Sequence, residues 1–482
     1  MLRRLLAMGL AGGILAVPAT AGRHAAPFAV PGDLRVVAYY PAHDGWTYMW
    51  RRWKPDQIDR DFALIAGLHA NTVRVFLQPP AFGYPRPRAD ALAKLDTLFT
   101  LAQRHGLSLE LTLFDWWWSY ADVQGSQTWA KAVLSRYAGD PRLACVELRN
   151  ELDPYDPKAV AWARQLLPYV RSIAGGTPVT LSVSGNDPLG RLKALSAELA
   201  PVAPDFWSFH YYDKAEYAYW TLASARAAVA PVPLVLAETG YQSGASVPQP
   251  RTREERDEEQ VRYLRTIMNA TALLGMPPAG VWVLLDFTRG ASPLRMPADE
   301  YSFGLFRADG TPKPAAEAAR AAFAAPGVVD RDFDGGFEDP GLSTWRAHGA
   351  GAFARDGTTA HGGSASAAVG GTGKGIASLT TIPTDPWVVP GQTVTLSAWA
   401  RGVAATGRTV VQLQWLAGDR TRLGSADSEP LPDGTTGWTQ LQVTASAPAG
   451  VAFVRIALVT SGDSGSVRFD DVALDGAGQP RA

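Results

Sequence analysis

The chain has 482 residues, which is more than one hydrophobic core usually holds, so its length predicts two domains, one large enough for a barrel of roughly 250 residues. Its 45 basic and 46 acidic side chains nearly cancel. Because no strong electric field results, the composition argues against nucleic acid or an anionic membrane surface as a partner.

The N-terminus has the layout of a secretory signal. Arg3 and Arg4 precede an apolar stretch from Leu5 to Val17, and Ala19-Thr20-Ala21 fits the small-residue pattern of a cleavage site. A membrane anchor is the alternative, but the apolar run is shorter than the roughly 20 residues that span a bilayer. We expect residues 1–21 to be removed and the mature protein to be secreted, extracellular and not held in a membrane.

The only cysteine, Cys145, cannot form an internal disulfide, so the fold must be stabilised by packed cores. Cys145 lies in the mostly apolar run from Leu143 to Leu148. A small, weakly polar side chain in such a run is predicted to be a buried strand residue rather than a nucleophile.

From residue 34 to 325, short apolar runs alternate with longer amphipathic segments, which is the pattern of β-α units around a parallel sheet. The predicted strands are Val36–Tyr40, Thr72–Gln78, Ser108–Asp115, Ala144–Glu151, Val179–Ser184, Phe206–Tyr212, Leu234–Thr239 and Val281–Phe287. The clearest helical patterns are Pro55–Leu68, Ala89–His105, Ser126–Tyr137, Pro157–Ala174 and Glu254–Leu274. Eight units in order predict an α/β fold of the (β/α)8, or TIM barrel, type. An open doubly wound sheet is the alternative, but no glycine-rich phosphate loop follows the first strand.

The composition changes after Ala325, where Gly, Ser and Thr increase and apolar residues alternate with polar ones. This pattern predicts a second, all-β domain over residues 330–476, with the boundary near residues 324–330. Its clearest predicted strands are Val394–Ala400, Val410–Trp415, Gln440–Val443 and Val454–Val459.

Two glutamates stand at the ends of predicted barrel strands. Strand four ends in Asn150-Glu151, and strand seven carries Glu238 near its end. The active site of a (β/α)8 barrel lies at the C-terminal strand ends. Cleavage of a glycosidic bond with retention needs one protonated carboxyl and one ionised carboxylate, which Glu151 and Glu238 can supply. The seven histidines show no zinc-protease spacing, and Ser182-Val183-Ser184-Gly185 lacks a serine-hydrolase elbow.

The order of these motifs resembles glycoside hydrolase clan A, and most of all family 5 (the cellulase and mannanase type), in which Asn-Glu ends strand four and a glutamate ends strand seven. The resemblance spans roughly residues 34 to 325. The other matching motifs are Asn71-Thr72-Val73-Arg74-Val75, Ser208-Phe209-His210-Tyr211-Tyr212, Trp282 on strand eight and the closing segment from Phe303 to Ala315.

The resemblance implies catalytic roles without a cofactor. Glu151 would be the general acid/base and Glu238 the nucleophile. Arg74 would keep Glu238 ionised, and Asn150 would bond the 2-hydroxyl of the sugar. Tyr212 would donate to the nucleophile, although a one-residue change of register would put Tyr211 there instead.

Four further side chains are predicted around the substrate. His210 would position the acid/base or the sugar, and Trp282 would form an apolar floor. Asp115 stands where many members of the family carry a histidine. His43, after strand one, is the alternative residue that would supply the histidine instead. Trp116, next to Asp115, is expected to line a subsite, because the C–H faces of sugars stack on aromatic rings.

The second domain resembles the jelly-roll carbohydrate-binding modules of families 4, 9 and 22 through the segment from Asp334 to Trp345 and the run Val467 to Val472. That resemblance implies a structural calcium ion held by Glu338 with Asp470 or Asp471. Trp387, Trp399, Trp415 and Trp438 are the candidates for sugar stacking or for the core.

The leading hypothesis is a retaining glycosidase that acts on a polysaccharide or oligosaccharide, with β-mannan or β-glucan favoured. The alternative from another class is a catalytically silent carbohydrate-binding or adhesion protein.

Overall fold

The computed structural model describes residues 33–244, 252–328 and, with short gaps at 339–341, 343, 372, 374, 382–384, 387 and 463, residues 333–477. The predicted signal peptide, residues 1–21, lies outside the described residues, as does part of the predicted domain boundary. None of the described helices is long and apolar enough to cross a membrane.

The first half of the described chain forms a parallel sheet whose seven strands are paired in chain order. Every residue of the second, fifth, sixth and seventh strands is buried, as expected of a parallel sheet covered by helices on its outer side. The strands are β1 Val36–Ala38, β2 Thr72–Phe76, β3 Ser108–Thr112, β4 Leu143–Glu147, β5 Val179–Val183, β6 Phe206–Tyr211 and β7 Leu234–Thr239.

The segment predicted as strand eight closes the barrel without forming a regular strand. Val281 makes parallel bridges to both Val37 of β1 and Thr239 of β7. Farther along, Leu284 donates to Ala38, whereas Asp286 donates to Phe306, so the segment alternates between partners instead of following one. The predicted (β/α)8 fold is confirmed, with a closure made of isolated bridges.

The helices follow the strands and cover the outside of the barrel. The five helices predicted from the sequence are present within three residues of the predicted ends. The described helices are α1 Thr47–Arg51, α2 Pro55–Gly67, α3 Pro79–Phe82, α4 Ala89–Arg104, α5 Val123–Leu134, α6 Pro157–Ile173, α7 Pro188–Leu199, α8 Ala218–Val229, α9 Arg253–Leu273 and α10 Pro314–Ala324, with short 3-10 helices at Ala215–Tyr217 and Asp299–Ser302.

The second half of the described chain is an antiparallel sandwich of two five-stranded sheets, as predicted. One sheet has the order β15-β12-β17-β10-β9 and the other β14-β13-β16-β11-β8. Residues of β12 alternate between buried and more exposed positions along its whole length, since one face of the sheet packs on the core. The strands are β8 Trp345–Gly349, β9 Phe353–Asp356, β10 Ser366–Gly370, β11 Ile376–Thr381, β12 Thr393–Val403, β13 Arg408–Leu416, β14 Arg422–Asp427, β15 Thr439–Ser446, β16 Phe453–Ser461 and β17 Ser466–Asp475.

Candidate active site

The C-terminal ends of the barrel strands surround a cleft of about 590 Å³, which we call the strand-end cleft. Glu151, Glu238 and Trp282 all line it. The three residues come from strands four, seven and eight, so the barrel brings together side chains that are far apart in the sequence.

Glu151 is held in a strained turn just beyond β4. Its φ angle of 52° lies in the left-handed region that L residues rarely adopt, at a cost of about 1–3 kcal/mol. The N–H of Glu151 donates to Ser182 Oγ at 2.8 Å, and Arg149 donates to the carbonyl oxygens of Asn150 and Glu151. These bonds hold the backbone in place so that the carboxyl group faces the strand-end cleft.

Arg74 connects the two strands that carry the predicted catalytic residues. Its fully buried guanidinium donates to Glu238 Oε2, to Glu147 Oε2 at 2.7 Å and to Asn150 Oδ1 at 2.8 Å. A buried charge needs such partners to offset its loss of hydration. Arg74 therefore fixes the orientation of both Glu238 and Asn150.

Two further buried carboxyl groups surround Arg74. Burial raises the pKa of Glu110, and the charge of Arg74 at 3.7 Å only partly offsets that rise. Burial also acts on Glu147, but there the charges of Arg74 and His210 outweigh it and lower the pKa. One guanidinium thus faces three carboxyl groups, and their proton affinities differ. Cys145, buried as predicted, lies beside Glu110.

His210 lies between the two predicted catalytic glutamates. Its Nδ1 is 3.1 Å from Glu151 Oε1 and 3.5 Å from Glu238 Oε1. Burial lowers the pKa of His210, but the charge of Glu238 and the hydrogen bond with Glu151 outweigh it, so the pKa is raised. Burial raises the pKa of Glu151, and the bond to His210 reverses the sign, so that pKa is lowered. Glu151 and His210 are therefore close enough for a proton to pass between them.

Tyr212, rather than its neighbour, faces the nucleophile position. The hydroxyl of Tyr212 donates to Glu238 Oε1 at 2.8 Å, whereas that of Tyr211 donates to the carbonyl of Lys214 at 2.6 Å. Gly185 makes room for this ring, because a Cβ there would lie 2.6 Å from Tyr212 Cδ2.

Trp282 lines the strand-end cleft and carries an acidic partner that the sequence did not reveal. Its indole Nε1 donates to Glu300 Oε1 at 2.9 Å. Burial raises the pKa of Glu300 to about 7, while the bond from Trp282 opposes the rise and the charge of Glu238 adds to it. Glu300 therefore places a third glutamate in the same cleft, in addition to Glu151 and Glu238.

Asp115 and Trp116 both line the strand-end cleft. Asp115 is buried and accepts from Gln78 Nε2 at 2.7 Å and from the hydroxyl of Tyr40 at 3.3 Å. Burial raises its pKa. Trp116 stacks on Trp46, with ring centroids 6.1 Å apart and planes 16° apart. This pair offers a flat aromatic surface at the wall formed by the loops after β1 and β3.

His43, the alternative to Asp115, is not among the residues that line the strand-end cleft. Its Nδ1 lies 3.1 Å from Thr288 Oγ1, and the residue lines a separate pocket with Lys54 and Asp61.

Glu151, His210 and Glu238 each place one potential ligand atom within 4.8 Å of the others. Among the described residues, this is the group of histidine and carboxylate side chains whose atoms lie close enough together to hold a metal ion. The guanidinium of Arg74 already supplies a positive charge at Glu238. Because the imidazole contacts both carboxylates, the group is arranged for proton transfer between neighbouring side chains.

The predicted calcium ligands Glu338 and Asp470 both accept hydrogen bonds from the loop of residues 361–365. Glu338 accepts from Ser364 and from the N–H of Ala365, and Asp470 accepts from the N–H groups of His361 and Gly362. A calcium ion needs oxygen atoms that converge on one point. These donors direct the two carboxylates at the loop of residues 361–365, and this orientation does not fit an ion held between the carboxylates. The calcium site stays a prediction.

Three of the candidate tryptophans of the sandwich lie in the described residues. Trp415 is buried in the core, whereas Trp399 is half-buried and stacks on His361 at 4.0 Å with 13° between the planes. Trp438 lies edge-on to the same imidazole at 5.7 Å. Trp387 lies outside the described residues.

Glu110, Glu147 and Glu300 are residues of the candidate site that the sequence predictions missed. Glu110 and Glu147 each interrupt a buried strand with a charge, and such an interruption is a usable signal for a polar interior. Glu300 has no such signal, because it lies in a short 3-10 helix outside the strands.

Comparison with known proteins agrees with both halves of the fold. A family model described as "Carbohydrate binding domain" matches residues 333–464, and no curated protein matches the chain. An exo-beta-1,4-mannosidase from Opitutaceae bacterium strain TAV5 shares 20% identity over 62% of this chain, with a TM-score of 0.50. That match spans 62% of the mannosidase's own length.

Two GH5_18 structures, each in complex with Manb1-4GlcNAc, match similarly. The one from Streptomyces cattleya shares 19% identity over 60% of this chain and 80% of its own, with a TM-score of 0.50. The one from Bifidobacterium longum subsp. longum shares 19% over 60% and 78%, also at 0.50. The expected resemblance to family 5 and to a carbohydrate-binding module is confirmed, and for the barrel it is a likeness of fold.

Proposed function

We propose that this chain is a retaining glycoside hydrolase that cleaves β-glycosidic bonds by double displacement. The observation that carries the proposal is the pair Glu151 and Glu238, with carboxylate oxygens within 4.8 Å of each other and one imidazole between them. Retaining enzymes place their two carboxyl groups about 5–5.5 Å apart, whereas inverting enzymes leave about 6.5–9.5 Å for a water molecule. The short separation supports direct attack by Glu238.

In the first step a carboxylate oxygen of Glu238 forms a bond to the anomeric carbon as the glycosidic C–O bond breaks. The electron pair leaves with the departing oxygen, which takes the proton held by Glu151 and His210. Arg74 and Tyr212 both donate to Glu238 and orient its carboxylate for the attack.

In the second step water attacks the anomeric carbon, its proton passes to Glu151, and the bond to Glu238 breaks. The charge of Glu238 contributes to the raised pKa of His210, and that charge is absent while Glu238 is esterified. The imidazole then holds its proton less tightly. The Glu151–His210 pair can therefore release a proton in the first step and accept one in the second.

The walls of the strand-end cleft support a sugar substrate. Asn150 accepts from Arg74 through Oδ1, so its amide N–H groups are left to donate to a sugar hydroxyl. Trp282 supplies an apolar face beside Glu238, and Trp46 with Trp116 supplies a second aromatic surface.

The proposed substrate is a polysaccharide or oligosaccharide of the β-mannan or β-glucan class. One of the structures that the barrel resembles is an exo-beta-1,4-mannosidase, and the sandwich matches a carbohydrate-binding family model. We further propose that the protein is exported, since residues 1–21 have the layout of a secretory signal. N-terminal sequencing of protein recovered from the culture medium tests export: a first residue near position 22 supports it, and retention of Met1 in the cytoplasm contradicts it.

Activity is tested on a panel of mannans, glucans, xylans and galactans, with products sized by chromatography. We expect the wild type to release sugars and Glu238→Ala to lose at least about a thousandfold in rate, because no nucleophile remains. Glu254→Ala, on the exposed surface of α9, is the matched control and should match the wild type.

Proton NMR of the first-formed product tests the stereochemistry. A β anomer supports double displacement, and an α anomer contradicts it. Wild-type activity in Glu238→Ala would remove Glu238 from the mechanism. Binding of a glycan without turnover by the wild type would instead favour a carbohydrate-binding protein.

A further inference from the structure

The sandwich packs directly against the helices of the barrel. Phe453, at the start of β16, is buried and meets Tyr219 of α8 edge-on, with centroids 5.4 Å apart and planes at 88°. Leu416 and Ala452 are buried beside it, and Leu273 of α9 packs on the same group. A buried apolar contact of this kind holds the two domains in a defined relation.

Between the two domains lies a pocket of about 420 Å³, which we call the interdomain pocket. Its barrel wall includes Tyr241 and Tyr263, and its sandwich wall includes Arg346 of β8 and Arg455 of β16. Neither domain alone encloses this space, so the pocket exists only because the domains are docked.

The interdomain pocket adjoins the strand-end cleft. Tyr212 and Tyr241 line both spaces. The hydroxyl of Tyr212 is the one that donates to Glu238, so the shared wall begins at the predicted nucleophile. An oligosaccharide bound in the strand-end cleft can therefore extend past the rings of Tyr212 and Tyr241 into the interdomain pocket.

The charges of the interdomain pocket are nearly balanced, and this decides the kind of ligand it suits. Its cationic residues are Lys214, Arg262, Arg346 and Arg455, and its acidic residues are Asp213, Glu259 and Asp385. A site for a phosphate or a polyanion would carry a clear positive surplus. Planar guanidinium groups and carboxylates beside tyrosine rings instead match the hydroxyl groups and C–H faces of neutral sugars.

Arg346 is the side chain best placed to act on a ligand. It is exposed on β8, the edge strand of its sheet, and points to the side where the pocket lies. Arg455, in contrast, donates to Asp385 from Nε at 3.1 Å and from Nη2 at 2.9 Å, so its orientation is fixed. One arginine is thus held rigidly while the other is available to an incoming hydroxyl group.

We propose that the interdomain pocket is a further glycan subsite, in which the sandwich domain contributes Arg346 and Arg455 to hold sugar units beyond those in the strand-end cleft. The inference rests on the proposed function. It gives the sandwich a role in the specificity of cleavage, because the domain forms one wall of the path that an oligosaccharide follows.

The test uses the full chain and a series of β-linked oligosaccharides from disaccharide to hexasaccharide, with an aryl β-monoglycoside as the shortest substrate. We expect kcat/KM to rise with length in the wild type and Arg346→Ala to lower it about tenfold for the longest member, since a charge-assisted hydrogen bond is lost. The rate on the aryl glycoside should not change. Arg408→Ala removes an exposed arginine of the same sheet that does not line the pocket and should leave every rate unchanged.

The subsite is overturned if Arg346→Ala matches the wild type on the hexasaccharide, or if it lowers all rates equally. Calorimetric titration of the hexasaccharide into Glu151→Gln, with and without Arg346→Ala, separates this result from turnover. About tenfold weaker binding in the double variant supports the subsite, and equal affinities or no binding in either protein overturn it. Absence of hydrolysis by the wild type on every substrate would defeat the proposed function alone, since the titration still decides the subsite.

Discussion

Two buried charge clusters of opposite composition lie in the two domains. In the barrel, the single guanidinium of Arg74 faces Glu110, Glu147 and Glu238. In the sandwich, the single carboxylate of Asp385 accepts from Arg420 and Arg455.

The carboxyl groups around Arg74 differ in proton affinity, because burial raises the pKa of Glu110 whereas the charges of Arg74 and His210 outweigh burial and lower that of Glu147, and this difference suits acid/base chemistry. The Asp385 cluster has a different position: the guanidinium of Arg420 lies 4.1 Å from the ring centroid of Phe453, the residue that contacts the barrel. Ion pairs of the same kind therefore have different roles in the two domains. The excess of carboxyl groups around Arg74 suits proton transfer, whereas the excess of arginines around Asp385 lies beside the contact between the domains.

The largest effect should come from Arg74→Met, which leaves the carboxyl groups without their shared cation. We expect the free energy of unfolding to fall by about 3–5 kcal/mol at neutral pH, because uncompensated buried charges remain. Glycosidase activity should be lost as well. Thermal unfolding followed by circular dichroism measures the first effect.

Arg74→Lys keeps the charge and should recover part of the stability but little activity, because an ammonium cannot reproduce the fork of contacts. Equal stability of Arg74→Met and the wild type would show that the three carboxyl groups are neutral in the folded protein.

A smaller effect should follow Asp385→Asn. Two arginines would lose their charged acceptor, and we expect a loss of about 1.5–3 kcal/mol confined to the sandwich. Differential scanning calorimetry should show an earlier transition for that domain. The rate on an aryl glycoside should stay at the wild-type level, since Asp385 does not line the strand-end cleft. A fall in that rate equal to the fall on long substrates would contradict the separation of the two clusters.

A third effect, which depends on pH and is specific to the carboxyl groups of the barrel, is expected from Glu300→Gln. Burial raises the pKa of Glu300 from 4.5 to about 7, so the folded protein binds this proton more tightly than the unfolded chain does. The resulting stability is complete below pH 4.5 and is lost as the pH rises to about 7. Glutamine cannot ionise and should remove that loss.

Melting temperatures of Glu300→Gln and the wild type should therefore converge in acid and separate above neutral pH, with the variant higher. Glu254→Gln, on the exposed face of α9, controls for the loss of one negative charge. Parallel profiles for Glu300→Gln and the wild type would mean that the carboxyl group is not buried as described.

The fold was accessible from the sequence because its signals are local and repeated. Each predicted barrel strand from one to seven coincides with an observed one, since a strand buried on both faces needs a continuous apolar run. The eighth predicted strand does not form a regular strand, because of a close backbone contact that the sequence does not reveal. Gly280 approaches β7 so closely that a Cβ would lie 2.1 Å from the carbonyl oxygen of Ala237, and the chain then changes partners.

The site was accessible only where a motif marked it. Arg74, Glu151 and Glu238 follow motifs of a known family, whereas Glu110 enters the cluster through strand register. It pairs directly with Arg74 across β2 and β3, and register cannot be read from one sequence. Glu300 and the interdomain pocket depend on loop path and on domain docking, which leave no periodic pattern.

The closure of the barrel through Val281 has a consequence for how the protein loses activity. Between β1 and β7 the ring of strands is completed by isolated bridges, whereas β6 and β7 pair over most of their length. The regions of a protein with the fewest such bonds open at the lowest free energy. Glu238 lies on a strand that borders this seam, and Glu151 follows a strand well away from it. Opening of this seam would displace Glu238, the proposed nucleophile, while Glu151 keeps its place, and inactivation by this route would precede the melting of the barrel as a whole.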